Sequence, residues 1–165
     1  MKKLKIYLDT SAIGYLDEHT SPGEMNDMLA LWEDIKQGKY DVSLSRITLD
    51  EIYAIGSIDK RMMLAKYLAE IVYTTIEVGK EIENIGDLLK SNGLLISDKH
   101  RNDRLHIGCA IVHGCDVIVS YNFRHLANVR TIKGVRGISN LRGYGNIDIV
   151  PAAMLIEEGA DFGDS

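Results

Sequence analysis

No apolar run in this chain of 165 residues is long enough to cross a bilayer, which excludes a membrane-spanning helix on length alone. Met1-Lys2-Lys3 opens like a signal peptide, but the apolar run behind it is interrupted by Lys5 and stops at Asp9. Secretion is therefore disfavoured and a cytoplasmic protein expected. Cysteine is scarce: Cys109 and Cys115 are the only two, and their spacing fits no zinc or redox motif. Both fall in or just after an apolar helical stretch and read as buried free thiols. There is no internal repeat and no low-complexity segment, which removes repeat arrays. There is no excess of positive charge either. The net charge of −5 argues against a protein that coats nucleic acid.

What is present is an ordinary globular composition, 45% hydrophobic and 26% charged, in a chain long enough to bury roughly 70% of its unfolded surface without a disulfide or metal staple. Residues 1–156 read as one domain and 157–165 as an acidic, Gly-rich, frayed tail. Short apolar runs alternate with helical periodicity. Leu4 to Leu8 predicts a buried strand. Met25, Met28, Leu29, Trp32 and Ile35 predict an amphipathic helix over 24–37, closed by Gly38. A strand over 41–45, helices over 48–58 and 59–71, and a β-branched strand over 72–76 follow. Then come helices over 79–91 and 103–113, with a strand over 116–120. Residues 125–142, crossed by glycines, are expected to be irregular helix and loop. Residues 147–150, before Pro151, are expected to form a last strand at an edge. Strands alternating with helices imply an α/β three-layer α/β/α sandwich around a central, mostly parallel sheet.

Three acids stand where these elements begin or end: Asp9 after the first strand, Glu51 after the second, Asp103 at the mouth of a buried helix. Ligands gather at the carboxyl ends of parallel strands. Three acids brought to one edge would repel unless a hard cation such as Mg²⁺ or Mn²⁺ lay between them. Each acid also has an ordinary explanation. Asp9-Thr10-Ser11 can cap a helix, Thr48-Leu-Asp-Glu51 matches a capping box, and Asp103 suits the first turn of a helix. Asn122, at the end of another strand, would lie beside Asp9 if the two strands are neighbours, and an amide there can hold a metal-bound water. His106 sits one turn beyond Asp103, and His125 three residues beyond Asn122. Residues 99–142 carry eight Lys and Arg against two acids, net +6 inside an acidic chain. That asymmetry fits a basic rim beside an acidic pocket, or simply a solvated helix face.

The motifs Leu8-Asp9-Thr10-Ser11, Ser45-Arg-Ile-Thr-Leu-Asp-Glu51, Asp103-Arg-Leu-His106-Ile-Gly-Cys-Ala110 and Val119-Ser120-Tyr121-Asn122, in this order and spacing, resemble the PIN-domain nucleases, which include the ribonuclease toxins of VapBC-type toxin–antitoxin pairs. The resemblance covers roughly residues 4 to 150. It implies the α/β/α fold, Mg²⁺ or Mn²⁺ as cofactor, RNA as substrate and a 5′-phosphate product. It further implies a small antitoxin partner and a homodimer. Carried over by motif, Asp9, Glu51 and Asp103 are the acidic triad, with Asp9 and Asp103 binding metal directly and Glu51 through water or activating the attacking water. Thr10 or Ser11, and Ser120, match the hydroxyl positions near the metal, and Asn122 stands where many members carry a fourth Asp.

Arg101, Arg104, Arg124 and His125 are the candidates to hold the RNA backbone, and Tyr121 is either a base-stacking or a buried ring. An antitoxin helix would use the helices at 24–37 and 59–71 as the walls of its groove. Two rivals stand beside the nuclease. One is a phosphatase or phosphotransferase with Asp9 as nucleophile, which lacks the usual second acid because position 11 is Ser. The other is a non-catalytic module that binds RNA or protein.

Overall fold

The computed structural model describes residues 2–160, with side chains up to 156. The chain runs β1 (Leu4–Leu8), α1 (Thr10–Gly14), α2 (Pro22–Lys36), β2 (Tyr40–Ser45), α3 (Arg46–Tyr53), α4 (Ile58–Leu68), β3 (Thr74–Ile76), α5 (Lys80–Ser91), α6 (Arg101–Val112), β4 (Val117–Val119), α7 (Val129–Leu141), β5 (Asp148–Val150) and α8 (Ala153–Ala160), with 3-10 turns at Tyr15–Asp17 and Asp98–His100. The strands form one sheet in the order β3-β2-β1-β4-β5, and every pairing is parallel. Helices cover both faces, giving the three-layer sandwich expected, with β5 at an edge as its proline predicts. Among the described residues no helix is long and apolar enough to cross a membrane.

Alternation along the strands divides the interior into two cores. Ile6 and Leu8 of β1, with Val42, Leu44, Val117 and Val119, face a core built with Met28, Leu31, Trp32 and Ile35 of α2. Tyr7 of the same strand points the other way, into a core with Ile82, Ile85 and Leu89 of α5 and Ile107 and Ile111 of α6. Helices α5 and α6 lie very close. A Cβ on Gly108 would come within 2.8 Å of the Ile82 carbonyl oxygen, so only glycine permits that approach.

Several boundaries differ from expectation. Helix α3 starts at Arg46, not Thr48. The Ser45 hydroxyl is the cap, accepting the Thr48 N–H, so Glu51 lies beyond the first turn and is not the acid of a capping box. Strand β3 begins only at Thr74, and Val72 is almost fully exposed. Residues 129–141 form one continuous helix despite Gly134 and Gly137. Val135 and Ile138 bury its inner face, and Gly134 makes room for Leu94, whose Cδ1 would lie 2.4 Å from an added Cβ. Tertiary packing there outweighs the helix-breaking tendency of glycine. Helix α8 carries the backbone past Glu157, where the tail was expected to begin. Residues 161–165, the rest of that tail, lie outside the described residues.

Candidate active site

The chain passes outward from β1 through β2 to β3, then returns to β4 on the other side of β1 and on to β5. That reversal opens a crevice at the carboxyl ends of β1 and β4, the usual place for a ligand in such a sheet. Leu8 and Val119 are paired in the last register of the two strands, so Asp9 and Ser120 leave the sheet side by side.

Asp9 is 2% exposed and caps α1. Its Oδ1 accepts the Ala12 N–H at 2.8 Å and the Ser11 hydroxyl at 2.7 Å, and its Oδ2 accepts the Ser120 hydroxyl at 2.5 Å. The ordinary reading of Asp9 as a cap is therefore observed, and the same carboxylate lies at the floor of the crevice. Ser11 accepts the Tyr121 N–H, and Ser120 accepts the Asn122 N–H, so the hydroxyls that orient Asp9 are themselves fixed. Burial pushes the Asp9 carboxyl above its ordinary value, against the opposing effects of the His106 charge and the three donors.

Asp103 lies in the first turn of α6, part-buried. Its Oδ2 stands 3.5 Å from His100 Nδ1. Burial raises its pKa too, opposed by His106, His100 and His125, and the Asp9 charge adds to the rise. The Asp9 charge is thus felt, weakly, at Asp103.

Glu51 behaves differently. Its Oε1 accepts the Thr10 hydroxyl at 2.7 Å and meets His106 Nε2 at 2.7 Å, and the Asn102 side chain also bonds to it. Burial alone would push its carboxyl up, but the bonds from His106 and Thr10 prevail and hold it below its ordinary value. Behind it, His106 is 2% exposed and its Nδ1 lies 2.6 Å from the Tyr7 hydroxyl, which also bonds to Ser45 at 2.8 Å. A line of hydrogen bonds therefore runs from the core through Tyr7 and His106 to Glu51 and Thr10. Position 106 was legible as one turn beyond Asp103. Tyr7 and Ser45 were missed, because their strands read simply as apolar and nothing local marks their inward polar atoms.

The three acids come to one edge of the sheet but do not close into a three-carboxylate cage. Among the described residues, no three His, Cys, Asp or Glu side chains stand close enough together to hold a metal ion, because Glu51 is drawn to Thr10 and His106. The donor chemistry of the remaining pair still fits a hard divalent cation. Asp9 and Asp103 offer carboxylate oxygens whose ionised forms are disfavoured by burial, and Mg²⁺ characteristically takes one or two carboxylates and keeps several waters.

The remaining candidates divide. Arg101 and Arg124 are exposed, and His125 is half-buried with its ring 4.2 Å from that of His100. Arg104 is corrected: it is only 6% exposed, and its guanidinium donates to the carbonyls of Leu95 and Ser97, so it supports a loop and is not offered to RNA. Asn122 Oδ1 accepts the His125 N–H at 3.1 Å, which commits that oxygen to the turn after β4. Tyr121 is buried and stacks on Tyr15 with ring centroids 4.3 Å apart, and the exposed ring nearby is Phe123. The expected groove walls also change. Helix α4 does line an apolar groove of about 460 Å³, but its opposite wall is α3, with Leu49, Ile52, Tyr53, Ile58, Met62 and Leu68 along it. The apolar stripe of α2 faces the core instead. Cys109 and Cys115 are free and buried, as expected.

Neither models of known protein families nor characterised protein sequences give a match to this chain. Solved structures do. One is the crystal structure of VapBC2 from Rickettsia felis bound to a DNA fragment from their promoter, aligned over 88% of this chain and 98% of that one with a TM-score of 0.54 and 14% identity. At that identity the likeness is one of fold: a parallel α/β/α sandwich of the kind the PIN resemblance implies.

Proposed function

We propose that this protein is a PIN-type, metal-dependent endoribonuclease and the toxin of a toxin–antitoxin pair. The observation that carries the reading is the pair Asp9, buried, and Asp103, part-buried, at the β1/β4 crevice, each with its carboxyl pKa raised chiefly by burial. They sit in a fold shared with a chain of a VapBC2 assembly. Asp9 and Asp103 would hold Mg²⁺ or Mn²⁺, with Ser11 and Ser120 fixing the orientation of Asp9. The ion, when bound, supplies a water of lowered pKa and neutralises charge developing on the phosphate oxygens. Glu51, its carboxyl pKa held down by the bonds from His106 and Thr10 against burial, would accept the proton of the attacking water. In such a hydrolysis the water oxygen would bond to phosphorus as the bond to the 3′ oxygen breaks, and a proton from solvent would reach the departing 3′ oxygen, leaving a 5′-phosphate on one product and a 3′-hydroxyl on the other. Arg101, Arg124 and His125 hold the backbone on either side.

An Asp9 nucleophile is disfavoured, because the second acid that such enzymes carry two residues on is missing: position 11 is Ser. The groove between α3 and α4, with exposed Tyr53, Ile58 and Met62, is the seat we assign to an antitoxin helix.

The test compares the parent with Asp9→Asn on a folded RNA in Mn²⁺. The parent is expected to cleave and the variant to be inert. A variant as fast as the parent sinks the assignment. Titrated with Mn²⁺ alone, the parent should gain about 2.7 kcal/mol of stability at one hundred times its dissociation constant. A non-catalytic module that binds no metal would gain nothing.

A further inference from the structure

Next to Asp103, the paired rings of His100 and His125 border a separate cavity of about 320 Å³. One wall is the loop 93–97 and the other the segment 124–131. Arg124 and Arg130 line it, and none of its lining residues is acidic, in a chain whose net charge is −5. Ile96, exposed at the rim, adds an apolar surface beside the cations. The loop wall is a built feature. Leu95 has φ of 51°, a left-handed conformation that costs free energy in a residue other than glycine and persists only where the surroundings impose it. Arg104 imposes it from beneath through the Leu95 and Ser97 carbonyls. Leu94, seated on Gly134, locks the same loop to α7. Arg130 reaches across to the Gly93 carbonyl at 3.2 Å.

We propose that this cavity is a backbone-phosphate subsite for single-stranded nucleic acid. It would take one or two phosphates on Arg124 and Arg130 and lay an adjacent base against Ile96, so that the neighbouring linkage reaches Asp103. Unpaired strands suit it, because their bases are free to turn onto an apolar surface. The cations are arginines, whose planar fork of N–H donors matches phosphate oxygens. The subsite deepens the ribonuclease reading and rests on it for its biological role, but binding can be measured apart from cleavage.

The experiment measures the affinity of the full protein for a single-stranded RNA of about ten nucleotides, and for DNA of the same sequence, in EDTA at 50 to 200 mM salt. Three proteins are compared: the parent, Arg124→Ala/Arg130→Ala, and Lys133→Ala/Arg142→Ala, which makes the same charge change outside the cavity. Loss of two phosphate contacts should lower the salt slope by about 1.4. Across that salt range the parent should therefore lose roughly sevenfold more affinity than the cavity variant. Equal loss on RNA and DNA assigns the site to phosphate alone, and a larger loss on RNA adds a ribose contact. A cavity variant with the parent's affinity and slope, or one no weaker than the control variant, overturns the proposal. If the parent binds through the cavity but never cleaves in Mn²⁺, the nuclease reading fails and the subsite stands. Cleavage without cavity-dependent binding removes the subsite and leaves the nuclease in place.

Discussion

Replacing Tyr7 by Phe deletes one oxygen from the centre of the sheet and leaves the ring in place, so the change is polar and not a cavity. Tyr7 is fully buried. Its hydroxyl serves His106 Nδ1 at 2.6 Å and Ser45 Oγ at 2.8 Å, with Thr48 Oγ1 at 3.5 Å. Two of these partners keep another bond: Ser45 still accepts the Thr48 N–H, and Thr48 still donates to the Leu8 carbonyl. His106 Nδ1 is left with none, inside a residue almost without exposure. A buried polar atom stripped of its partner costs about 1–3 kcal/mol. For a domain of this size each kcal/mol lowers Tm by about 2–4 °C. Urea denaturation should show a lower midpoint with an unchanged m value, since no extra surface is exposed on unfolding. Because His106 holds Glu51, RNA cleavage should lose kcat with little change in KM. A Tyr7→Phe protein within about 0.5 kcal/mol of the parent, which is ordinary for a neutral surface change, would refute the idea that this line of bonds holds the site together.

Three further outcomes follow from the same geometry. Asp9 and Asp103 have raised carboxyl pKa values in the fold, so without metal the folded state binds more protons than the unfolded one just above pH 3.8, and these two groups make stability fall as pH rises through that window. Glu51, shifted down, acts oppositely: its contribution is present above its unfolded pKa and is lost as pH falls through the lower folded value. Asp103→Asn should accordingly melt above the parent at pH 7 in EDTA, with the gap closing toward pH 4. A variant less stable than the parent at neutral pH contradicts this. Gly108→Ala, which would set a Cβ 2.8 Å from the Ile82 carbonyl, should destabilise by about 1–3 kcal/mol. Gly137→Ala, in open space on α7, should stabilise by about 0.5–1 kcal/mol, and equal effects in thermal melts would count against the packing argument. Burial pushes the thiols of Cys109 and Cys115 up to about 12, so a thiol reagent at pH 8 should react only as fast as the protein unfolds.

The amino-acid sequence by itself determined the alternation of strand and helix, the placement of Asp9 at the end of β1 and of Asp103 in the first turn of α6, and the burial of both cysteines. Each of these is written in spacing along a few residues, where apolar period and end signals act locally. Tertiary structure alone decided the strand order that sets Ser120 against Asp9, 111 positions away. It also decided the turning of Glu51 toward His106 and Thr10, the withdrawal of Arg104 beneath the loop at 95–97, and the completion of α7 across two glycines. The physical reason is common to all four. A polar group's partner, and the room a glycine must leave, are set by which distant element packs against it, and a one-dimensional pattern of hydrophobicity carries whether a residue is buried but not against what.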